Sequence, residues 1–164
     1  MTTDNPYKAP TAPVKDALPP PRSPIVAVLA GLAVDIGGTV VAGIVIAIVY
    51  AIILASQGLD AEKIQTVLST VDPSSTYFAV GTLMGFGFSV LGGYVCARLA
   101  RRRERRLALI QGLLSAAIGL SMAGDDFEIG VNIGMSLLTA LSVVLGGELG
   151  RRRNLAVAHA KNAA

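Results

Sequence analysis

Tryptophan is absent from this chain of 164 residues, and cysteine and histidine occur once each, as Cys96 and His159. One cysteine excludes an internal disulfide and a cysteine cluster for metal, and a lone histidine in a polar tail does not predict a metal site. Charge is also scarce, because 15% of the residues are charged while 52% are hydrophobic. So few charges, gathered into short blocks, cannot cover the surface of a water-soluble globule. The composition therefore predicts a membrane protein.

Four apolar segments predict an all-α fold with four transmembrane helices. A hydrocarbon core of about 30 Å needs about 20 helical residues to cross it. The predicted spans form a compact antiparallel bundle over residues 25–150, and they are residues 25–55, 77–100, 107–123 and 129–149. Residues 1–24 contain seven of the eight prolines and few bulky apolar side chains, which predicts a disordered segment. Residues 151–164 form a basic tail.

The first apolar run is longer than one upright span. Its 31 residues would measure about 46 Å as a helix, and it contains a single charge, Asp35. Two placements remain open. Either the helix tilts with Asp35 inside the membrane, or residues 36–55 span and residues 25–34 form an interfacial or cytoplasmic extension.

The connection at residues 56–75 contains a short helical pattern. Ile64, Val67, Leu68 and Val71 recur at i, i+3, i+4 and i+7, which is one apolar face of a helix. Asp60 is a suitable N-cap residue for it. We therefore predict an amphipathic helix that lies on the membrane surface in the first outer loop.

The distribution of basic residues predicts the orientation. If both termini lie on one side, 13 of the 14 lysines and arginines lie on that side, and only Lys63 lies opposite. Lysine and arginine are retained in the cytoplasm, so both termini are predicted to be cytoplasmic. The arginine blocks also attract anionic headgroups, and they lack the interleaved aromatics of nucleic-acid binding. These arginines are Arg101, Arg102, Arg103, Arg105, Arg106, Arg151, Arg152 and Arg153.

Small residues recur every four positions in the second and fourth spans. Such stripes let helix backbones approach closely, which is what drives helix association in lipid. The predicted packing residues are Gly81, Gly85, Ser89, Gly93, Ala97, Gly130, Gly134, Ser142 and Gly146. The letters VLGG also occur in both spans, at residues 90–93 and 144–147, as a weak parallel repeat.

Asp35 is the residue best suited to transport. A carboxylate at the centre of a span costs about 2.5–3.5 kcal/mol, so acids kept there commonly belong to a proton or ion path. Arg98 and Gln111, in the inner halves of their spans, are the candidate partners. The alternative is that Asp35 lies at the cytoplasmic interface, where it is solvated or paired with arginine.

Two short motifs carry a resemblance. Residues 4–10, DNPYKAP, resemble the NPYxxP start of uncharacterised small bacterial inner-membrane proteins, and residues 92–101 resemble the GGYxAxRxAR pattern of uncharacterised four-helix membrane proteins. This resemblance implies a multi-pass protein of the bacterial inner membrane and no assigned activity. The four-span size and the acid in the first span are similar to small multidrug transporters, although the chain lacks their tryptophan and has Asp where that family has Glu.

Two functions follow as hypotheses. There is no Ser/His/Asp set, no carboxylate pair within the membrane and no glycine loop between strand and helix, so we predict no enzyme, no catalytic residue, no metal and no cofactor. The leading hypothesis is a packing, assembly or scaffold component, which associates with itself or with a membrane complex through its small-residue faces. The alternative is a small proton- or ion-coupled transporter or channel that uses Asp35. The predicted partner is the lipid bilayer, including its anionic headgroups, and we predict no binding of nucleic acid.

Overall fold

The computed structural model describes residues 22–70, 72–122 and 127–162, and within them all regular structure is helical. The predicted all-α class is confirmed for this part of the chain. The prediction of a disordered segment falls mostly on residues 1–21, which lie outside the described residues. The elements in chain order are α1 (Pro24–Leu32), a π-helical segment (Ala33–Gly37), α2 (Gly38–Ser56), α3 (Ala61–Ser69), α4 (Thr76–Ala100), α5 (Glu104–Met122) and α6 (Ile129–Asn162).

Three helices of the described residues are long and apolar enough to cross a membrane. They are Pro24–Ser56, Thr76–Ala100 and Ile129–Ala160, and the first of them joins α1, the π-helical segment and α2 into one continuous helix. The prediction of a helical membrane protein agrees with this finding. α5, which covers the predicted third span, is not among the three and has Glu104, Arg105 and Arg106 in its first turn.

The connection after α2 contains the short helix α3. The Asp60 carboxylate accepts a hydrogen bond from the backbone N–H of Lys63 at 3.0 Å, so Asp60 is the N-cap residue that the sequence predicts. Ile64 and Leu68 on its apolar face are half-buried, while Val67 is exposed. Val71, the last residue of the predicted pattern, lies outside the described residues.

α4 is the central helix, because it packs against α1, the π-helical segment, α2, α5 and α6. It runs parallel to α6. At one end the rings of Phe78 and Phe127 lie 5.5 Å apart, and at the other end Arg98 donates a hydrogen bond to Asn154 Oδ1 at 3.1 Å. α5, which follows α4 and precedes α6 in the chain, runs antiparallel to both, since Gly112 faces Ala140 and Ala108 faces Gly147.

The α4–α6 contact is a near-symmetric crossing of glycines. A Cβ on Gly93 would overlap the carbonyl of Val143, and a Cβ on Gly146 would overlap the carbonyl of Val90. In each case the carbonyl belongs to the residue three positions before the partner glycine. The two VLGG stretches therefore lie against each other, and this crossing brings the two backbones together as small residues allow in lipid.

One end of the bundle collects the basic side chains. Arg98 pairs with Asn154, and Arg105, Arg151 and Arg152 surround the carboxylate of Glu148 at 2.9 to 3.6 Å. α6 continues through this end to Asn162, so it is longer than the predicted span of residues 129–149. The prediction followed hydropathy alone. The continuation is physically reasonable because residues 151–162 contain Arg, Ala and Leu, which favour helix, and no Gly or Pro.

We predict that Gly93→Ala lowers the free energy of unfolding by about 1–3 kcal/mol, because the added methyl group would displace the α6 backbone. SDS titration of the detergent-solubilised protein, followed by circular dichroism, measures the change. Gly87→Ala on the same helix is the matched control, because, apart from its own helix backbone, no atom of the described residues lies within 4 Å of its Cβ position. Equal stability of the two variants would contradict the glycine crossing.

Candidate functional site

Asp35 is buried where three helical segments meet. Its side chain is 4% exposed, and it lies in the π-helical segment between α1 and α2. The hydroxyl of Ser89 on α4 donates to Oδ1 at 2.7 Å, and the hydroxyl of Ser115 on α5 donates to Oδ2 at 2.6 Å. Both carboxylate oxygens are therefore held by neutral donors from two other helices.

The backbone around Asp35 departs from an α-helix. Residues 33–37 form a π-helical turn, and the Thr39 hydroxyl donates to the Asp35 carbonyl at 2.7 Å. Such turns inside α-helices are rare and are frequent at functional sites. Just before this turn α1 packs closely against α4. Gly31 lies so near Gly92 that a side chain on either glycine would overlap the backbone of the other.

Asp35 forms no ion pair with a basic side chain of the described residues. Arg98 donates its hydrogen bond to Asn154 instead. Arg98 is therefore not bonded to Asp35, and Asp35 is buried rather than solvated among the described residues. Its placement at the cytoplasmic interface or inside the membrane stays a prediction. A buried carboxylate without a counter-charge is costly, and the two hydroxyl groups offset only part of that cost.

Gln111 lies one helical turn before Ser115, on the side of Asp35 towards the basic end. Its side chain is fully buried, and neither amide atom has a hydrogen-bond partner. It lies against Gly31 and Gly92 without bonding to the Asp35 carboxylate. Each unsatisfied buried polar group costs about 1–3 kcal/mol, so this amide is a second unfavourable feature beside Asp35.

A cavity of about 570 Å³ extends from Asp35 towards the opposite end of the bundle. Its wall on α2 runs from the π-helical segment to Ile46, a rise of about 16 Å. At the far end its lining includes Leu68 of α3 and the exposed Thr70 and Asp72. The remaining lining is mostly apolar and comes from α4, α5 and α6. Asp35, Ser89 and Ser115 thus form one end of an open cavity, whose exposed lining residues include Val40 and Met122 as well as Asp72.

The mouth of the cavity is acidic. Hydrogen bonds from the hydroxyl and the backbone N–H of Ser74 hold the pKa of Asp72 below its ordinary value. Asp72 is therefore an anion at neutral pH. Among the described lining residues, Asp35 and Asp72 are the acidic ones, and none is basic.

The predicted small-residue stripes divide into three groups. Gly93 and Gly146 lie at the α4–α6 crossing, and Ala97 is buried close to it, where Gly150 approaches it. Gly81, Gly85 and Ser89 line the cavity. Apart from the backbone of α6 itself, no atom of the described residues lies within 4 Å of the Cβ positions of Gly130 and Gly134. Ser142 donates a hydrogen bond to the carbonyl of Leu138 on its own helix. Ser89 contacts the π-helical segment through Asp35, and a Cβ on Gly85 would lie 3.7 Å from Thr39 of α2, so these two residues do face other helices. Within the described chain Gly81, Gly130 and Gly134 have no such contact, and a packing role for them stays a prediction.

Sequence reasoning missed Ser115. It follows Gln111 at i+4 and thus lies on the same face of α5. That spacing links it to the predicted polar cluster. A serine in an apolar helix can also bond to its own backbone, as Ser142 does, so the spacing alone does not reveal its partner.

Comparison of the chain with protein-family models, with curated proteins and with solved structures gives no match to any of the three. The resemblance of residues 4–10 and 92–101 to uncharacterised bacterial membrane proteins stays a prediction. No group of three or more His, Cys, Asp or Glu side chains suited to a metal ion occurs among the described residues. Functional inference therefore depends on the geometry around Asp35.

We predict that Gln111→Met raises the free energy of unfolding by about 1–3 kcal/mol, because the unbranched apolar side chain removes two unsatisfied buried polar atoms. The same SDS titration measures it. Gln57→Met, at an exposed position, is the control and should leave stability unchanged. A less stable Gln111→Met protein would mean that the amide has a bonding partner, such as a bound water molecule.

Proposed function

We propose that this chain is a four-span protein of the bacterial inner membrane that transports protons or cations by binding them at Asp35. The observation that carries the proposal is a buried carboxylate at one end of an open cavity, without a basic partner among the residues that the structure describes. A positive charge that enters the cavity relieves the cost of the isolated carboxylate. Because a cation that enters through the cavity can also leave through it, the site suits reversible binding.

The direction of the helices supports four spans. α4 and α6 run parallel, so the chain must recross the membrane between them, and α5 is the helix that connects them. Its 19 residues measure about 28 Å, close to the hydrocarbon thickness of about 30 Å. The arginines at its start extend to the headgroups by snorkelling.

The charge at the two ends of the bundle supports cytoplasmic termini. Arg22 donates a backbone hydrogen bond to Leu99 at 3.2 Å, so the start of the described chain lies at the same end as the Arg101 turn and Asn154. The opposite end has Asp60, Glu62 and Asp72. By the positive-inside rule the basic end is cytoplasmic, and the cavity then faces the periplasm. In this orientation α3 lies at the outer surface of the membrane.

Association through small-residue faces is a second candidate function. Gly130 and Gly134 have open space at their Cβ positions, so this half of α6 offers a surface to a second copy or to a larger membrane complex. The tightest glycine contacts, those of Gly93 and Gly146, are already made within the chain. The cavity around Asp35 has no role in a scaffold, and we therefore favour transport.

We expect Lys63→Cys and Arg103→Cys to be labelled from opposite sides of the membrane. Cys96 is buried and gives little background to a membrane-impermeant maleimide. In whole cells with a permeable outer membrane, the reagent should modify Lys63→Cys at once. Arg103→Cys should react only after the inner membrane is opened. Labelling of both positions in intact cells would refute this topology.

We expect Asp35→Asn to abolish cation or proton flux into reconstituted vesicles, because the amide has no negative charge to attract a cation. Flux down an imposed gradient of H⁺, Na⁺ or K⁺ is followed with ion-sensitive dyes in matched vesicles. Asp72→Asn, at the exposed mouth, serves as the control and should retain flux. The proposal fails if wild-type vesicles conduct no more than protein-free ones, or if Asp35→Asn matches the wild type.

A further inference from the structure

A groove lies between α5 and α6 at the basic end of the bundle, and it shares no lining residue with the cavity at Asp35. Its volume is about 360 Å³. Ala108 is 1% exposed and forms its floor, whereas Leu109 is 52% exposed, so the groove opens at the surface of the bundle. The lining residues are Arg105, Ala108, Leu109, Val144, Glu148 and Arg152.

The lining residues change from charged to apolar along the groove. Since α5 and α6 run antiparallel, Arg105 near the start of α5 lies at the same end of the groove as Arg152. Leu109 and Val144 lie at the other end, and Val144 is about 12 Å from Arg152 along α6. In a bilayer the phosphate of a phospholipid lies at the surface, and its acyl chains lie deeper. The order of the lining residues therefore matches the order of groups in a phospholipid.

Two guanidinium groups of the groove contact one carboxylate, that of Glu148. Arg105 Nε lies 3.1 Å from Oε2, and Arg152 Nε lies 3.6 Å from Oε1. Arg151, which does not line the groove, donates from Nη1 to the same two oxygens at 2.9 and 3.2 Å, and its charge balances that of the carboxylate. The groove therefore has an excess of positive charge. The shared contact also holds Arg105 and Arg152 close enough for one phosphate group to reach both.

We propose that this groove binds one anionic phospholipid, with its phosphate between Arg105 and Arg152 and an acyl chain against Leu109 and Val144. Guanidinium groups suit phosphate because their N–H donors can contact two of its oxygens at once. This site goes beyond the proposed transport and does not depend on Asp35. It also differs from the general attraction of headgroups to the arginine blocks, which would make the exposed arginines of this end equivalent.

Two other ligands fit the groove less well. A soluble phosphate ester would use the two arginines, but it would leave the apolar half of the groove without a partner. A zwitterionic phospholipid would bring an ammonium group close to two guanidinium groups. The carboxylate that could attract this ammonium group, that of Glu148, is already contacted by three arginines. An anionic phospholipid uses both the positive charge and the apolar half.

Native mass spectrometry of the full chain, purified in detergent and titrated with phosphatidylglycerol, tests this inference. We expect a one-to-one complex, whose affinity falls at least about tenfold when Arg105→Gln and Arg152→Gln are combined, since both phosphate contacts are lost. The matched control combines Arg106→Gln and Arg153→Gln. These exposed residues neighbour the first pair on the same helices but lie outside the groove, so their loss should lower the affinity by about twofold at most. Circular dichroism confirms that both double variants are folded.

Two further ligands test the two halves of the site. Phosphatidylcholine with the same acyl chains should bind at least about tenfold more weakly than phosphatidylglycerol, because its headgroup has no net negative charge. Glycerophosphoglycerol has the anionic headgroup without the chains. It should not displace phosphatidylglycerol at about 100-fold excess, because it cannot fill the apolar half of the groove.

Each contrary result overturns the lipid site. Equal loss of affinity in the two double variants would mean a general attraction to the arginines, and equal affinity for phosphatidylcholine would remove the need for a net negative charge. Displacement by glycerophosphoglycerol would make the ligand a soluble phosphate ester. Absence of a one-to-one complex with the wild type would leave no site at all. The proposed function is tested separately, because flux through Asp35 enters none of these measurements.

Discussion

The site depends on the contact between the Asp35 carboxylate and two hydroxyl groups, without a basic side chain from the described part of the chain. It links the π-helical segment to α4 and α5 through Ser89 and Ser115. A lone charge within a bundle that lies in lipid is among the most costly arrangements for a side chain. Burial without a counter-charge favours a positive partner from outside, and the cavity gives that partner a route.

The two halves of the bundle differ in packing, and the small residues explain the difference. On the basic side of Asp35, the backbones of α4 and α6 meet at Gly93 and Gly146, and Gln111 is fully enclosed. On the acidic side, Gly81 and Gly119 have no neighbour at their Cβ positions and line the cavity. The same residue type therefore closes one half and widens the other.

The sequence predicted the helices and the clustering of basic residues well, because apolar runs and arginine blocks are local features. It predicted less of the site. The four-residue period places Gly81 and Gly93 on the same face of α4. The arrangement of the neighbouring helices, which the period does not predict, decides that Gly93 packs against a backbone and that Gly81 lines the cavity. The depth of Asp35 was open because a run of 31 apolar residues can slide in the membrane. Ser115 was missed because its partner lies 80 residues away.

Three departures from low-energy structure coincide at this point of the bundle. A regular helix with an apolar residue in place of Asp35 would avoid both the buried charge and the π-helical turn, and an apolar residue in place of Gln111 would avoid the unsatisfied amide. Replacing buried charged groups by apolar ones is often neutral or stabilising. A bundle that needed only to pack would gain by these changes. Since departures of this kind concentrate where a protein acts, their coincidence favours a binding site at Asp35 over a structural role.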